Sequence, residues 1–241
     1  MGFIRSFDPW RARSLCTCPF KYTVNPYTGC GHGCLYCYAS SYIRRFFEPR
    51  PKPNFIRVAE RDLKSIPSGS IINISSSSDP YQPLEGELKL TRSLLKLIAG
   101  RYVVEIVTKS DLVVRDVDLL EKGPSVVSVT ITTLDEGLAA RLEPRAPPPS
   151  RRLKAIEELS KRGIPVILRL DPIIPYLNDS PESIREVLGA AAAAGARHVV
   201  SSTYKVRPDN LRRLAEAFPD AVQKLQQLYA RGERIHGYLY A

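Results

Sequence analysis

NPYTGCGHGCLYCY, residues 25–38, sets Cys30, Cys34 and Cys37 in one short loop together with Gly29, Gly31 and Gly33. Three thiolates at a Cys-x3-Cys-x2-Cys spacing can wrap a single inorganic centre. A [4Fe–4S] cubane ordinarily takes a cysteine on each of its four irons, and this stretch offers three. One iron is left open to bind and activate a small molecule. A structural zinc site is the competing reading, but zinc takes four ligands in paired spacings, and Cys16, Cys18 or His32 would have to complete it. The tight spacing within one loop favours iron–sulfur. The two remaining cysteines cannot hold a second cubane.

Outward from this loop the chain alternates short apolar runs with longer helical patterns. Tyr22–Asn25 reads as a strand leading into the loop, and a helix is expected from about Ala39 to Phe47. Further strands are expected at Ser70–Ile74, Tyr102–Val107, Val126–Thr132, Ile164–Leu170 and His198–Ser202. These near-continuous apolar runs suit parallel strands covered on both faces. The helices between and after them are expected at Thr91–Ala99, Val114–Glu121, Ser150–Arg162, Pro181–Ala194 and Asn210–Tyr229. Ser150 and Ser180 are N-cap candidates, and Gly163 and Gly195 are stop signals. Six β–α units fall short of a closed eight-unit barrel. The expected fold is an open partial (β/α)6 barrel of parallel strands, with a flatter doubly wound sheet as the alternative.

No linker composition divides the 241 residues, so one domain is expected over 1–241, with a 1–21 extension, a 22–205 barrel core and a 206–241 C-terminal helix and tail. The proline-rich pieces Glu48–Pro53 and Pro144–Pro149 read as rigid loops. No stretch is apolar enough for a membrane span, and the N-terminus lacks the apolar core of a secretory signal. Five locally clustered cysteines argue against a disulfide scaffold and for the reducing cytoplasm. The net charge of +10, with arginine supplying 24 of 35 basic residues, suits phosphate-bearing partners.

Polar clusters follow the expected strand ends: Ser75–Asp79, Thr108–Lys109, Thr132–Asp135 and Asp171. In parallel α/β folds that face carries the site. The cysteine spacing, with Tyr36 before Cys37, resembles the cluster motif of the radical S-adenosylmethionine superfamily. Within it the chain is most similar to the spore-photoproduct-lyase-like (DNA repair photolyase-like) branch. That resemblance runs from about Tyr22 to about Val200 and is carried by residues 25–38, SSSSDPYQP (75–83), VTKSD (107–111), TITTLD (130–135), LEP (142–144) and DPIIP (171–175).

The resemblance implies that Cys30, Cys34 and Cys37 ligate a [4Fe–4S] cluster whose open iron holds S-adenosyl-L-methionine. It further implies that Ser78, Lys109, Thr130 and Asp171 position that cofactor. The implied reaction is reductive cleavage to a 5′-deoxyadenosyl radical that takes a hydrogen atom from the substrate. Tyr36 and Tyr38, flanking Cys37, are candidate hydrogen relays. Partners implied are a low-potential electron donor such as a ferredoxin or flavodoxin, and a substrate class that includes DNA or RNA.

One departure bears on the reaction. The lyase carries a hydrogen-donor cysteine two positions before the cofactor-binding serine, and this chain has Ser76 there. Cys16 and Cys18 are the remaining thiols. The stretch Arg44-Arg-Phe-Phe-Glu-Pro-Arg-Pro-Lys52 interleaves cations with aromatics, a composition that suits phosphate contact and base stacking. The pairs Arg151–Arg152 and Arg212–Arg213 read as solvated helix surface. A reading from another class is a non-catalytic nucleic-acid-binding module held by zinc or an iron–sulfur cluster.

Overall fold

The computed structural model describes residues 2–7, 19–74, 76–235 and 238–240, so Cys16 and Cys18 lie outside the described residues. The chain runs β1 (Arg5–Phe7), β2 (Lys21–Val24), β3 (Tyr27–Thr28), β4 (Arg50–Pro51), α1 (Phe55–Leu63), β5 (Ile71–Ile74), α2 (Pro83–Leu88), α3 (Leu90–Ile98) and β6 (Val103–Thr108). A 3-10 turn (Asp111–Asp116) leads into α4 (Val117–Leu120), then β7 (Ser125–Thr130), α5 (Glu136–Leu142), α6 (Pro149–Lys161), β8 (Val166–Ile173), α7 (Pro181–Ala193) and β9 (His198–Thr203). The last elements are α8 (Pro208–Ala217), α9 (Pro219–Tyr229) and the pair β10 (Glu233–Ile235) and β11 (Tyr238–Tyr240).

The main sheet has the order β1-β2-β5-β6-β7-β8-β9. Strands β2 and β5 to β9 are parallel in sequence order, and β1 adds an antiparallel strand at the β2 edge. This is the open (β/α)6 barrel that the alternation predicts, with β1 as an addition. Among the described residues no helix is long and apolar enough to cross a membrane.

Alternation along each strand separates two faces. Ile72, Ile74, Val104, Ile106, Val127, Val129, Val166, Leu168 and Leu170 point outward. They pack against Phe55, Ala59 and Leu63 of α1, Leu94, Leu95 and Ile98 of α3, Ile156 and Leu159 of α6 and Val187 of α7. The inner face is polar: Lys21 pairs with Glu105 at 2.8 Å, and Arg169 pairs with Asp171 at 2.8 Å. An apolar outer layer thus fixes the barrel while leaving its interior able to recognise polar groups.

Three expectations are corrected. The helix expected over 39–47 is a single 3-10 turn, Ala39–Ser41. There Ser40 Oγ donates to the Cys37 carbonyl at 2.7 Å, the local competition that disfavours helix at serine, and Arg45 turns left-handed at φ 53°. The α-helix of this unit lies later, at α1, whose buried Phe55, Ala59 and Leu63 recur at i, i+4, i+8. The single C-terminal helix is two, because Pro219 forces Phe218 out of helical geometry (φ −139°, ψ 63°). Finally, Arg152 is not solvated surface: it is 1% exposed. Within the proline-rich stretch 48–53, Arg50–Pro51 pairs with Thr28 and Tyr27.

A buried ionic knot behind the cysteine loop holds α2. Glu85, fully buried, accepts from the Tyr27 hydroxyl, the Thr91 N–H at 2.9 Å, the Arg92 N–H at 3.3 Å and Arg115 at 2.6 Å. Arg115 also binds Asp116, which accepts from the Tyr81 hydroxyl at 3.1 Å. Removing one member of such a buried pair strands the other. Glu85→Ala is therefore expected to cost about 3–5 kcal/mol in urea unfolding, whereas Glu121→Ala, which breaks a surface pair with Arg162, should cost under about 1 kcal/mol. Equal costs for the two would contradict the assignment of the knot as the support of α2.

Candidate active site around the cysteine loop

The loop turns sharply after β3. Gly29 sits at φ +81°, and a Cβ there would stand 2.3 Å from the Phe46 carbonyl oxygen. That carbonyl accepts the Cys30 N–H at 2.8 Å, so the glycine permits the closure that orients Cys30. The other backbone groups of the loop are met by side chains from the loop after β5. Gln82 Oε1 accepts the Gly31 N–H at 2.7 Å. Gln82 Nε2 and Ser78 Oγ both donate to the Gly29 carbonyl, at 3.2 and 2.7 Å.

Asp79 ties three strand-end loops together. Its carboxylate faces His32 Nε2 at 3.2 Å and accepts from Thr108 Oγ1 and the Lys109 N–H, each at 2.7 Å, and from the Tyr81 N–H at 2.8 Å. Burial alone would raise this carboxyl; His32 and the hydrogen bonds from Lys109 and Thr108 outweigh it and bring it down to about 2. A second buried carboxylate, Glu143, receives the Tyr36 hydroxyl, Thr132 Oγ1 at 3.1 Å and the Arg152 guanidinium at 2.5 Å. Burial would raise Glu143 as well, and Arg152 and Lys109 instead hold it low.

Burial pushes the Cys30 thiol up to about 12 and raises Cys34 and Cys37. Lys109 opposes this at Cys34 and Cys37. Burial pulls the Lys109 ammonium down, but Cys34 and Glu143 raise it overall. Thiols bind metals as thiolates and release protons on doing so. Three clustered sulfurs, with an ammonium that favours the thiolates of Cys34 and Cys37, therefore fit an inorganic centre that takes thiolate ligands. Among the described residues no three His, Cys, Asp or Glu side chains converge on a single-ion site. The sulfurs of a cubane bind separate irons and need no such convergence.

The structure gathers the expected residues on this face in different roles. Lys109 Nζ lies 5.4 Å over the Tyr36 ring, beside the cysteines. Ser78 is buried against the loop backbone. Thr130 is buried at the end of β7, and its carbonyl accepts from Arg152 at 3.1 Å. Asp171 accepts from Ser202 Oγ at 2.6 Å and from Arg169 at 2.8 Å, with Lys205 Nζ at 4.0 Å. Burial would raise this carboxyl, and Lys205 and Arg169 keep it low. Lys205 also lies 5.4 Å over the Tyr38 ring. Ser76 Oγ accepts from Asn25 Nδ2 at 2.9 Å.

Sequence reading left Asp79, Gln82, Glu143 and Arg152 without roles. Their signal was present in part, since three of them lie in the SSSSDPYQP and LEP segments. Arg152 had none, being one of two adjacent arginines at a helix start. Asn178, also missed, locks the loop after β8. It accepts the Ile174 N–H at 2.6 Å and donates to the Thr132 carbonyl at 2.7 Å.

Comparison with known proteins gives this geometry a family. An uncharacterised protein of Methanocaldococcus jannaschii is 38% identical over 163 residues, covering 66% of this chain and 62% of that protein, so the chain spans under two thirds of that relative's length. The radical SAM Nα-GlyT isomerase of Pseudomonas phage M6 is 23% identical over 221 residues, covering 87% of this chain and 46% of the isomerase. A spore photoproduct lyase variant with bound AdoMet and dinucleoside spore photoproduct shares the fold, with a TM-score of 0.68 at 19% identity, over 91% of this chain and 68% of the lyase. Residues 24–191, which include all three loop cysteines, match the Radical SAM superfamily. The chain therefore belongs to the radical SAM superfamily and has the fold of spore photoproduct lyase.

Proposed function

We propose that this single radical-SAM-like unit is an enzyme in which Cys30, Cys34 and Cys37 hold a [4Fe–4S] cluster and S-adenosyl-L-methionine occupies the open iron. The observation that carries the reading is the placement of three cysteines, Cys30 and Cys34 buried and Cys37 half-buried, in one loop at the C-terminal end of the parallel sheet, inside the family-matched segment. When bound, the reduced cluster supplies the electron that cleaves S-adenosyl-L-methionine and so starts abstraction of a substrate hydrogen atom. A low-potential donor such as a ferredoxin or flavodoxin provides that electron, and a reducing cytoplasmic setting suits the thiols.

The chain's own residues bind, orient and balance charge. Lys109 holds an ammonium beside Cys34 and Glu143, where it can also meet a carboxylate of the cofactor. Ser78 acts through the loop it grips, and Thr130 and Asp171 line the neighbouring strand ends. The Tyr36 hydroxyl proton is directed at Glu143 Oε1, which fixes the ring beside the cysteines. Tyr38 presents its ring to the Lys205 ammonium. Because Ser76 replaces the thiol donor of the lyase, the proposed activity stops at hydrogen abstraction and does not extend to dimer repair by that route.

For the substrate we propose a nucleic acid. Exposed Arg44, Arg45 and Arg50 flank the cysteine loop, the chain carries a net charge of +10, and the lyase that shares its fold binds a dinucleoside spore photoproduct.

Anaerobically reconstituted protein with dithionite is expected to form 5′-deoxyadenosine and methionine from S-adenosyl-L-methionine, and Cys30→Ala to form neither. Iron-loaded parent protein that leaves the cofactor intact would overturn the enzymatic reading. A gel shift with single-stranded DNA should weaken steeply with salt, and Arg44→Ala/Arg45→Ala should flatten the log–log slope by about one per lost phosphate contact. A salt-independent shift counts against the polynucleotide. Within the site, Glu143→Gln leaves buried Arg152 without its counter-charge and should cost about 3 kcal/mol or more in unfolding. Tyr36→Phe, which removes one hydrogen bond, should cost only about 1–2 kcal/mol.

A further inference from the structure

Helix α8 lies beyond residue 191, where the family match ends, yet it meets the carbonyls of three consecutive loop residues. Arg213 Nε donates to the Leu35 carbonyl at 3.1 Å, Asn210 Nδ2 to the Tyr36 carbonyl at 3.1 Å, and a terminal nitrogen of Arg213 to the Cys37 carbonyl at 3.3 Å. The same nitrogen reaches Ser40 Oγ at 2.7 Å. Arg213 is itself held by Asp209 at 3.0 Å, and Asp209 accepts from Ser40 and Ser41 at 2.8 and 2.5 Å. The guanidinium lies 5.0 Å over the Phe47 ring, with its side chain 22% exposed. This arginine, read from sequence as solvated helix surface, is a fork engaged on every side.

The turn that carries Cys37 has no sheet or α-helix of its own to receive these carbonyls, so α8 supplies donors to them. A planar guanidinium can serve two carbonyls and a hydroxyl at once, which an ammonium on a flexible stem does less well. It also brings a fixed positive charge next to the last cysteine.

We propose that Arg213 is a positioning residue for the iron–sulfur loop: it locks the Leu35–Cys37 turn and, through its charge, makes the bound centre easier to reduce, with Asn210 completing the lock at Tyr36. The inference rests on the cluster reading above. Reduction adds negative charge to the centre, and a nearby cation favours that state. Its two parts are separable, because lysine keeps the charge and loses the fork, whereas glutamine loses the charge.

The test compares the parent chain with Arg213→Lys and Arg213→Gln after anaerobic reconstitution, by EPR-monitored redox titration and by the rate of iron loss to a chelator. Arg213→Gln is expected to have a more negative potential. It should lose iron roughly tenfold faster, the scale set by one or two charge-assisted hydrogen bonds. Arg213→Lys is expected to keep a potential near that of the parent while still losing iron faster. Unchanged potential and iron loss in Arg213→Gln would overturn the proposal. So would equal shifts of potential in both variants, since helix packing alone would produce them. If Arg213→Gln does not fold, the Lys variant decides: parental iron retention in it overturns the lock. A parent chain that takes up no iron overturns the cluster reading and this inference together, whereas indifferent variants of an iron-holding parent overturn this inference alone.

Discussion

A glycine-rich loop that turns this sharply cannot hydrogen-bond mainly to itself. Its glycines buy the turns, but they leave amides and carbonyls facing a protein interior where an unmet polar group is costly. Every neighbouring element of this chain answers that constraint. Phe46 gives a carbonyl to Cys30, Gln82 and Ser78 grip Gly29 and Gly31, and α8 meets Leu35, Tyr36 and Cys37. The barrel and its apolar outer layer serve to bring these distant groups to one place.

Charge is the second demand, and the structure meets it with buried pairs. Asp79 faces His32, Glu143 faces Arg152, and Lys109 stands among Cys34, Glu143 and Asp79. Each acid is kept ionised by a named partner despite burial. Such pairs contribute little net stability compared with apolar packing. Their value lies in geometry, because each fixes one loop to another at the sheet's C-terminal face.

The sequence made the strand positions and the cysteine loop legible because both are local signals: apolar runs of strand length and a spacing of ligands. It misplaced what depends on distant partners. The 39–47 stretch has helical composition, but Ser40 and Ser41 are bound by Asp209 of α8, and the Phe46 carbonyl is committed to Cys30. Arg152 and Arg213 each follow another arginine and look like surface. One is sealed against Glu143 and the other against the loop, and no window of neighbouring residues shows either contact. Pro219 was a legible helix break that the apolar spacing of 210–229 overrode.

The distance along the chain between the loop and its last supports has a temporal meaning. Arg213 follows Cys37 by 176 positions, and domains assemble during synthesis from the N-terminal side first. The cysteines thus emerge well before the helix that closes over their carbonyls. A nascent chain passes through a stage in which its thiols are exposed to solvent, oxidants and stray metal with their turn unfinished.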